Sequence, residues 1–202
     1  MKKILTAITG ASGALYAKRF VEIINKLGYE QTLIISNTAK EVLKHELDCK
    51  FPEKDKDVLK YINSNWNIIK PDYLKIASVD RFNASVASGS NAADLMVVIP
   101  CTMGSTARFA QGVSTNLIER SFDVMLKEKK DIIIVPRESP LNQIHLENLL
   151  KLSQMGVDII PAMPAFYQKP ETILDLVDFL VGRVLEHIGV NHSLYKRWNG
   201  LK

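Results

Sequence analysis

Five short stretches of this 202-residue chain gather the residue types that bind anions and move protons. Thr9-Gly10-Ala11-Ser12-Gly13 and Ser36-Asn37 each follow an apolar run. So do Pro100-Cys101-Thr102-Met103-Gly104-Ser105, Pro136-Arg137-Glu138-Ser139-Pro140 and Pro161-Ala162-Met163-Pro164-Ala165-Phe166-Tyr167. Glycines and small hydroxyl residues let backbone N–H groups approach an oxyanion, an arginine neutralises it, and a glutamate exchanges a proton. Alone, Gly10–Gly13 reads equally well as a tight turn capping a helix. The argument for a ligand rests on several such loops converging.

Convergence depends on the elements between them. Continuous Val/Ile/Leu runs predict strands at 3–9, 31–35, around 74–79, 95–99, 132–135 and 157–160. Amphipathic stretches predict helices at 13–27 (closed by Gly28), 38–47, 54–65, 115–130, 144–155 and 172–188. Apolar runs without alternation are the pattern of parallel strands covered on both faces. Strands alternating with helices then give a doubly wound α/β fold, Rossmann-like, with a mostly parallel sheet and helices on both faces. Ligands of such sheets bind beyond the carboxyl ends of the strands, where all five stretches fall. With no linker or low-complexity tract, residues 1–202 read as a single domain with a helical tail from about 172.

Composition narrows the chemistry. The formal net charge is +4, but the basic residues are dispersed among Asp and Glu. This argues against nucleic acid and for small anionic ligands. The densest cluster, Lys127-Glu128-Lys129-Lys130, ends a predicted helix, where cations meet the carbonyl end of the dipole. The two cysteines, Cys49 and Cys101, have no metal-ligand spacing, and a reducing cytoplasm is expected. Met1-Lys2-Lys3 and the apolar residues after it form a strand and turn rather than a signal peptide, and no run is long enough to span a membrane.

A dinucleotide is disfavoured. The second strand ends in Ser36 and Asn37 rather than the acidic residue that holds a ribose, and none of the six tyrosines has a lysine four residues on. A mononucleotide phosphate suits Ser12, Ser36 and the 102–105 loop.

The cations have ordinary alternatives. Arg120 and Lys127, seven apart on one predicted helix face, are compatible with a solvated stripe. Arg183 lies among Val181, Gly182, Val184 and Leu185, so its charge should be paired or at an interface. Glu138 would serve equally as a cap for the helix starting near Asn142, Glu46 as a surface residue and Cys101 as a small core residue. His145 reads as a packed or capping histidine.

Taken together, Thr9–Gly13, Ala87-Ser88-Gly89-Ser90, Asn116-Leu117-Ile118-Glu119-Arg120, Val135-Pro136-Arg137-Glu138, Ile144-His145-Leu146-Glu147-Asn148 and 161–167 resemble the UbiX/Pad flavin prenyltransferases over essentially the whole chain. Val135–Glu138 followed by Ile144–Asn148 is the specific part of the likeness. The resemblance implies a flavoprotein-superfamily fold, reduced FMN as prenyl acceptor, and dimethylallyl monophosphate as donor. The product would be prenylated FMN, joined at N5 and C6, for UbiD-type decarboxylases. It places FMN on Gly10, Ala11, Ser12, Ser36, Thr102, Met103, Gly104, Ser105 and Arg137. It places the donor on Tyr167 and Arg183 with Arg120, Lys127, Phe82 and Ser88, and it makes Glu138 the main acid/base group, assisted by Glu46 and Ser12. A homo-oligomer, usually a dodecamer with sites at subunit interfaces, is implied as well. Phe82 stands where family members often have Trp.

The chemistry matches these residue types. Arg and Lys neutralise a leaving phosphate without a metal, and no Asp-rich magnesium motif is present. Phe82, Phe166 and Tyr167 would shield an allylic cation. The rival readings are an FMN-dependent cysteine-type decarboxylase of the same superfamily and a non-catalytic FMN carrier.

Overall fold

The runs Ile4–Ile8 and Met96–Ile99 lie side by side at the centre of a six-stranded sheet, buried on both faces. The structure, a computed structural model, describes residues 2–196. Its strands are β1 (Lys3–Ile8), β2 (Glu30–Ile35), β3 (Leu74–Ile76), β4 (Leu95–Cys101), β5 (Asp131–Pro136) and β6 (Asp158–Ile159). Its helices are α1 (Ala14–Leu27), α2 (Asn37–Leu47), α3 (Asp55–Asn65), α4 (Met103–Ala110), α5 (Leu117–Lys127), α6 (Gln143–Gln154) and α7 (Ile173–His187). The strand order is β3-β2-β1-β4-β5-β6, and every neighbouring pair is parallel. The sheet therefore winds outward in both directions from β1 and β4, and the crevice between their carboxyl ends is the topological switch point.

Alternate strand residues feed opposite layers. Ile4, Val97, Ile133 and Val135 pack with Phe20 and Ile24 of α1 and Val181 and Val184 of α7. Leu33 and Ile35 extend that side under α2 and α3 through Leu43, Val58 and Ile62. On the other face, Leu5, Met96, Val98 and Ile134 pack with Phe109 of α4, Phe122 of α5 and Leu152 of α6. An ion pair joins the first and last helices. Arg19 donates to both carboxylate oxygens of Asp178, at 2.6 and 2.9 Å.

The helix boundaries follow their caps. Gly28, at φ 83°, closes α1 in the left-handed region that glycine enters without strain. Asn116, Asn142 and Thr172 accept from the third residues of α5, α6 and α7. In α6 the partner is His145, which answers in a reciprocal capping box. His145 is thus a capping histidine, and Glu138 is not the cap.

Several expected boundaries are corrected. Residues 103–110 form a helix that the sequence presents as a loop. The expected helix over 115–130 starts at Leu117 and stops at Lys127, and Lys129 at φ 52° cannot continue it. The strand at 74–79 ends at Ile76, and the chain runs on through two 3-10 turns, 85–87 and 89–91. β4 continues through Pro100 to Cys101. Proline offers no N–H to a ladder, and the pairing with β5 shifts register between Val98 and Cys101. The expected tail is helical to His187, residues 188–196 follow without helix, and 197–202 lie outside the described residues.

Candidate active site

Thr9 joins the two halves of the sheet at the switch point. Its hydroxyl donates to the Pro100 carbonyl at 2.9 Å and accepts from the Thr102 N–H at 2.8 Å. The loops after β1 and β4 are thereby held edge to edge. The loop after β2 approaches equally closely, since a Cβ on Gly10 would stand 2.7 Å from Thr38 of α2. Glycine at position 10 is a packing requirement of this edge.

The start of α1 already has an anion. Gly13 N and Ala14 N donate to Glu46 Oε2 at 3.0 and 2.8 Å, from the last turn of α2. The Ser12 hydroxyl also bonds the Glu46 carboxylate, and Arg137 Nε donates to the Ser12 carbonyl at 3.2 Å. Burial acts to raise the Glu46 pKa, but the Ser12 hydroxyl, the two backbone donors and the Arg137 charge outweigh it and hold the group below its ordinary 4.5. The turn expected to receive a phosphate thus spends its first N–H groups on a carboxylate. Glu46 is exposed, as expected by default, yet it holds this turn, and Ser12 bonds both its carboxylate and Arg137.

This arrangement has a consequence for acid stability. A carboxylate with a lowered folded pKa contributes stability above its unfolded value and loses it as pH falls through the folded one. Glu46→Gln is expected to flatten the fall in stability below about pH 4, as read by urea unfolding at several pH values. An unchanged acid limb would show that the carboxylate does not hold the turn.

The second helix start is equipped differently. Thr102 caps α4, its hydroxyl accepting from Ser105 N at 3.0 Å and donating to Ser105 Oγ at 2.9 Å. Among the described residues, the Met103 and Gly104 N–H groups are given no acceptor. Ser36 caps α2 by accepting from Ala39 N at 3.0 Å and lies 3.1 Å from the Thr38 hydroxyl. Two donor-rich helix starts, one on each side of Gly10–Ser12, thus face the crevice without a carboxylate upon them. That donor set fits a phosphate group.

At the end of β5, Glu138 is exposed, with Oε1 accepting from Ser139 N at 2.9 Å. Among the described residues its Oε2 has no hydrogen-bond donor. Cys101 is fully buried, and burial pushes its thiol up to about 12, against smaller opposing contributions from Thr106 and Arg108. It is a core residue and not a nucleophile.

The remaining expected residues form two further groups. Arg120 donates to the Ala87 carbonyl at 3.3 Å and to Asp123 at 2.8 Å. Lys127 pairs with Glu128 directly over Gly89, and Ser88 and Ser90 share a hydroxyl contact at 3.1 Å. Arg120, Lys127 and Ser88 are therefore neighbours across α5 and the 87–91 turn, and Phe82, 48% exposed, precedes that turn. At the other end of the sheet, the Tyr167 ring meets Phe179 at 5.7 Å, and Phe179 meets Tyr195 at 5.1 Å. Arg183 is paired with Glu186 at 2.6 Å and hydrogen-bonded to Tyr195, which together hold its pKa above the ordinary value. Its charge is paired as expected, although its side chain is 53% exposed and is not buried among its apolar neighbours. Arg120 and Lys127 are bonded within α5 and to the 87–91 turn, and Arg183 is bonded within α7 and to Tyr195.

Sequence reasoning gave no role of their own to Thr9, Thr38 or the pair formed by the exposed Arg108 and the buried Glu119. With α4 unrecognised, Arg108 had no helix to place it. The spacing of Thr102 to Ser105 ahead of Phe109-Ala110 was the available signal for that helix.

A doubly wound parallel sheet whose switch point carries a hydroxyl-lined helix start, that of α4, without a carboxylate upon it defines a nucleotide-binding α/β protein, and residues 1–185 match the family Flavoprotein. The chain is 47% identical over 191 residues to the flavin prenyltransferase UbiX of Halalkalibacterium halodurans, covering 95% of this chain and 90% of that protein. It is also similar to the crystal structure of AnUbiX (PadA1) in complex with FMN and dimethylallyl pyrophosphate, with 34% identity, a TM-score of 0.87, and coverage of 100% and 99%. A dodecameric FMN-dependent UbiX-like decarboxylase from Escherichia coli O157:H7 superposes with a TM-score of 0.85 at 36% identity, covering 98% of this chain and 100% of that one. The chain belongs to the UbiX family of flavin prenyltransferases. Among the described residues, no group of three or more His, Cys, Asp or Glu is placed to hold a metal, and no helix is long and apolar enough to cross a membrane.

Proposed function

We propose that this protein transfers a dimethylallyl group from dimethylallyl monophosphate to reduced FMN, making the prenylated flavin used by UbiD-type decarboxylases. Reduced FMN supplies the nucleophilic N5 and C6 positions. The observation that supports the reading is an exposed carboxylate, Glu138, at the end of β5, next in sequence to Arg137, which is bonded across the edge to the Ser12 turn. FMN is seated along Gly10, Ala11 and Ser12, with its phosphate on the α4 start formed by Thr102, Met103, Gly104 and Ser105, and Ser36 and Arg137 flank it. Glu138 Oε2 takes the proton that C6 gives up on ring closure. Glu46 and Ser12, already hydrogen-bonded to each other, assist proton movement at N5.

Arg120, Lys127 and Arg183 neutralise the departing phosphate, which makes a metal unnecessary in this reading. Phe82, Phe166 and Tyr167 exclude water from the allylic cation. In this reading the protein is a homo-oligomer, a dodecamer as in the Escherichia coli relative, and the Arg120–Lys127 and Tyr167–Arg183 groups meet at subunit interfaces to complete one donor site. Two buried, unpaired cysteines accord with a reducing cytoplasm.

The test is anaerobic incubation with reduced FMN and either dimethylallyl monophosphate or the diphosphate, followed by mass spectrometry of the released flavin. A gain of one five-carbon unit is expected, with the monophosphate preferred. Flavin returned intact with both donors would sink the reading and leave a flavin-dependent decarboxylase or a carrier.

A further inference from the structure

Arg108 stands on the last turn of α4, where a basic residue ordinarily meets the free carbonyls of the helix end. Here it is turned the other way. Its Nη2 donates back to Ser105 Oγ at 3.4 Å, and a Cβ on Gly104 would lie 3.4 Å from its Nη1. The guanidinium thus reaches three to four residues toward the start of its own helix, over a glycine that leaves it room.

What holds it there is Glu119 of α5, only 2% exposed. Glu119 Oε1 takes the Arg108 Nε, while Oε2 accepts from Thr115 N at 2.7 Å and Thr115 Oγ1 at 2.6 Å. Both carboxylate oxygens are satisfied, so the acid has one fixed orientation and so has the guanidinium it grips. Burial acts to raise the Glu119 pKa, but Thr115 and Arg108 outweigh it and hold the group ionised. A buried carboxylate is costly to keep, and here it directs one cation toward one loop. The chain of contacts runs Glu119, Arg108, Ser105, Thr102, Thr9, ending at the junction of β1 and β4.

We propose that Arg108, aimed by the buried Glu119, is a specificity-determining residue that selects the phosphorylated flavin. Beyond it, the 102–105 loop offers only hydroxyl and N–H donors. Arg108 adds a full positive charge to that loop, and Nη1 and Nη2 remain directed to it after Nε is spent on Glu119. This inference rests on the flavin reading above and adds to it the discrimination between FMN and riboflavin, which differ by the phosphate alone.

The test is the affinity of the full-length protein for FMN and for riboflavin, by flavin fluorescence quenching, without any donor or turnover. Wild type is expected to prefer FMN strongly. Arg108→Ala is expected to weaken FMN binding about 10- to 100-fold, the range for a lost charge-assisted contact, with riboflavin affinity roughly unchanged. Arg108→Ala leaves Glu119 buried without its cation and risks unfolding, so Arg108→Ala/Glu119→Gln, which removes both charges, is measured alongside with a thermal melt. Loss of FMN preference in either folded variant supports the proposal. Full FMN preference retained in the folded double variant overturns it, as does an equal loss for both flavins. A wild type with no preference for FMN would overturn both this inference and the FMN reading it rests on, whereas retained preference in the variants would overturn this one alone.

Discussion

Glu138→Gln is expected to lower kcat for flavin prenylation by about 10²- to 10⁴-fold, the usual contribution of a positioned general acid or base, while FMN still binds. The substitution is nearly isosteric. The amide oxygen can still accept the Ser139 N–H that Oε1 now takes at 2.9 Å, so the loop should keep its shape. What is lost is the ability of the second oxygen to take a proton. Arg137, which holds the Ser12 carbonyl, is untouched. Kinetics under anaerobic conditions, beside FMN titration of the same variant, separate the two effects. A variant with wild-type kcat would remove Glu138 from the chemistry. A variant that loses FMN affinity and kcat together would make it a binding residue instead.

The second large effect lies in the layer beneath the site. Phe109 of α4 and Phe122 of α5 stack with ring centroids 3.9 Å apart and planes within 1°, and they are 2% and 1% exposed. Phe122→Ala empties a ring's volume from a core that cannot collapse to fill it, and about 3–5 kcal/mol of stability should be lost. For a chain of this size that is a fall in Tm of roughly 6–20 °C. The stack also fixes α4 against α5, the two helices that present the 102–105 loop and the Arg120–Lys127 pair. At a temperature where the variant is still folded, the KM for the prenyl donor should therefore rise. Denaturant unfolding is to be compared at one protomer concentration, because assembly adds to apparent stability. A loss below about 1 kcal/mol would mean that the joint between these helices lies elsewhere.

Much of this was legible beforehand, for reasons visible in particular residues. β1, β2, β4 and β5 are runs with no polar alternation, which only a sheet covered on both faces can use. Glycine at 28 marks a helix end through local backbone geometry, independent of the rest of the fold, whereas the caps Asn116 and Asn142 became evident only with the structure. From order and type alone, the ends of these strands named the edge on which the candidate site is built. α4 was hidden because Gly104, Ser105 and Thr106 have poor helix propensity, and its cap and the burial of Phe109 and Ala110 outweigh that only once the sheet is formed.

The sequence by itself determined the strand–helix alternation, the donor-rich loops and the family likeness, because each is written in neighbouring residues. Only the tertiary structure decided that Glu46 occupies the start of α1 while the start of α4 carries no such carboxylate. It alone turned Arg108 back over that helix start, through an acid eleven residues away, and paired Arg120 with Asp123 and Arg183 with Glu186. The physical reason is common to all three. Which charge neutralises which is settled by distances of a few ångströms between loops from different crossovers, and no spacing along the chain encodes those distances.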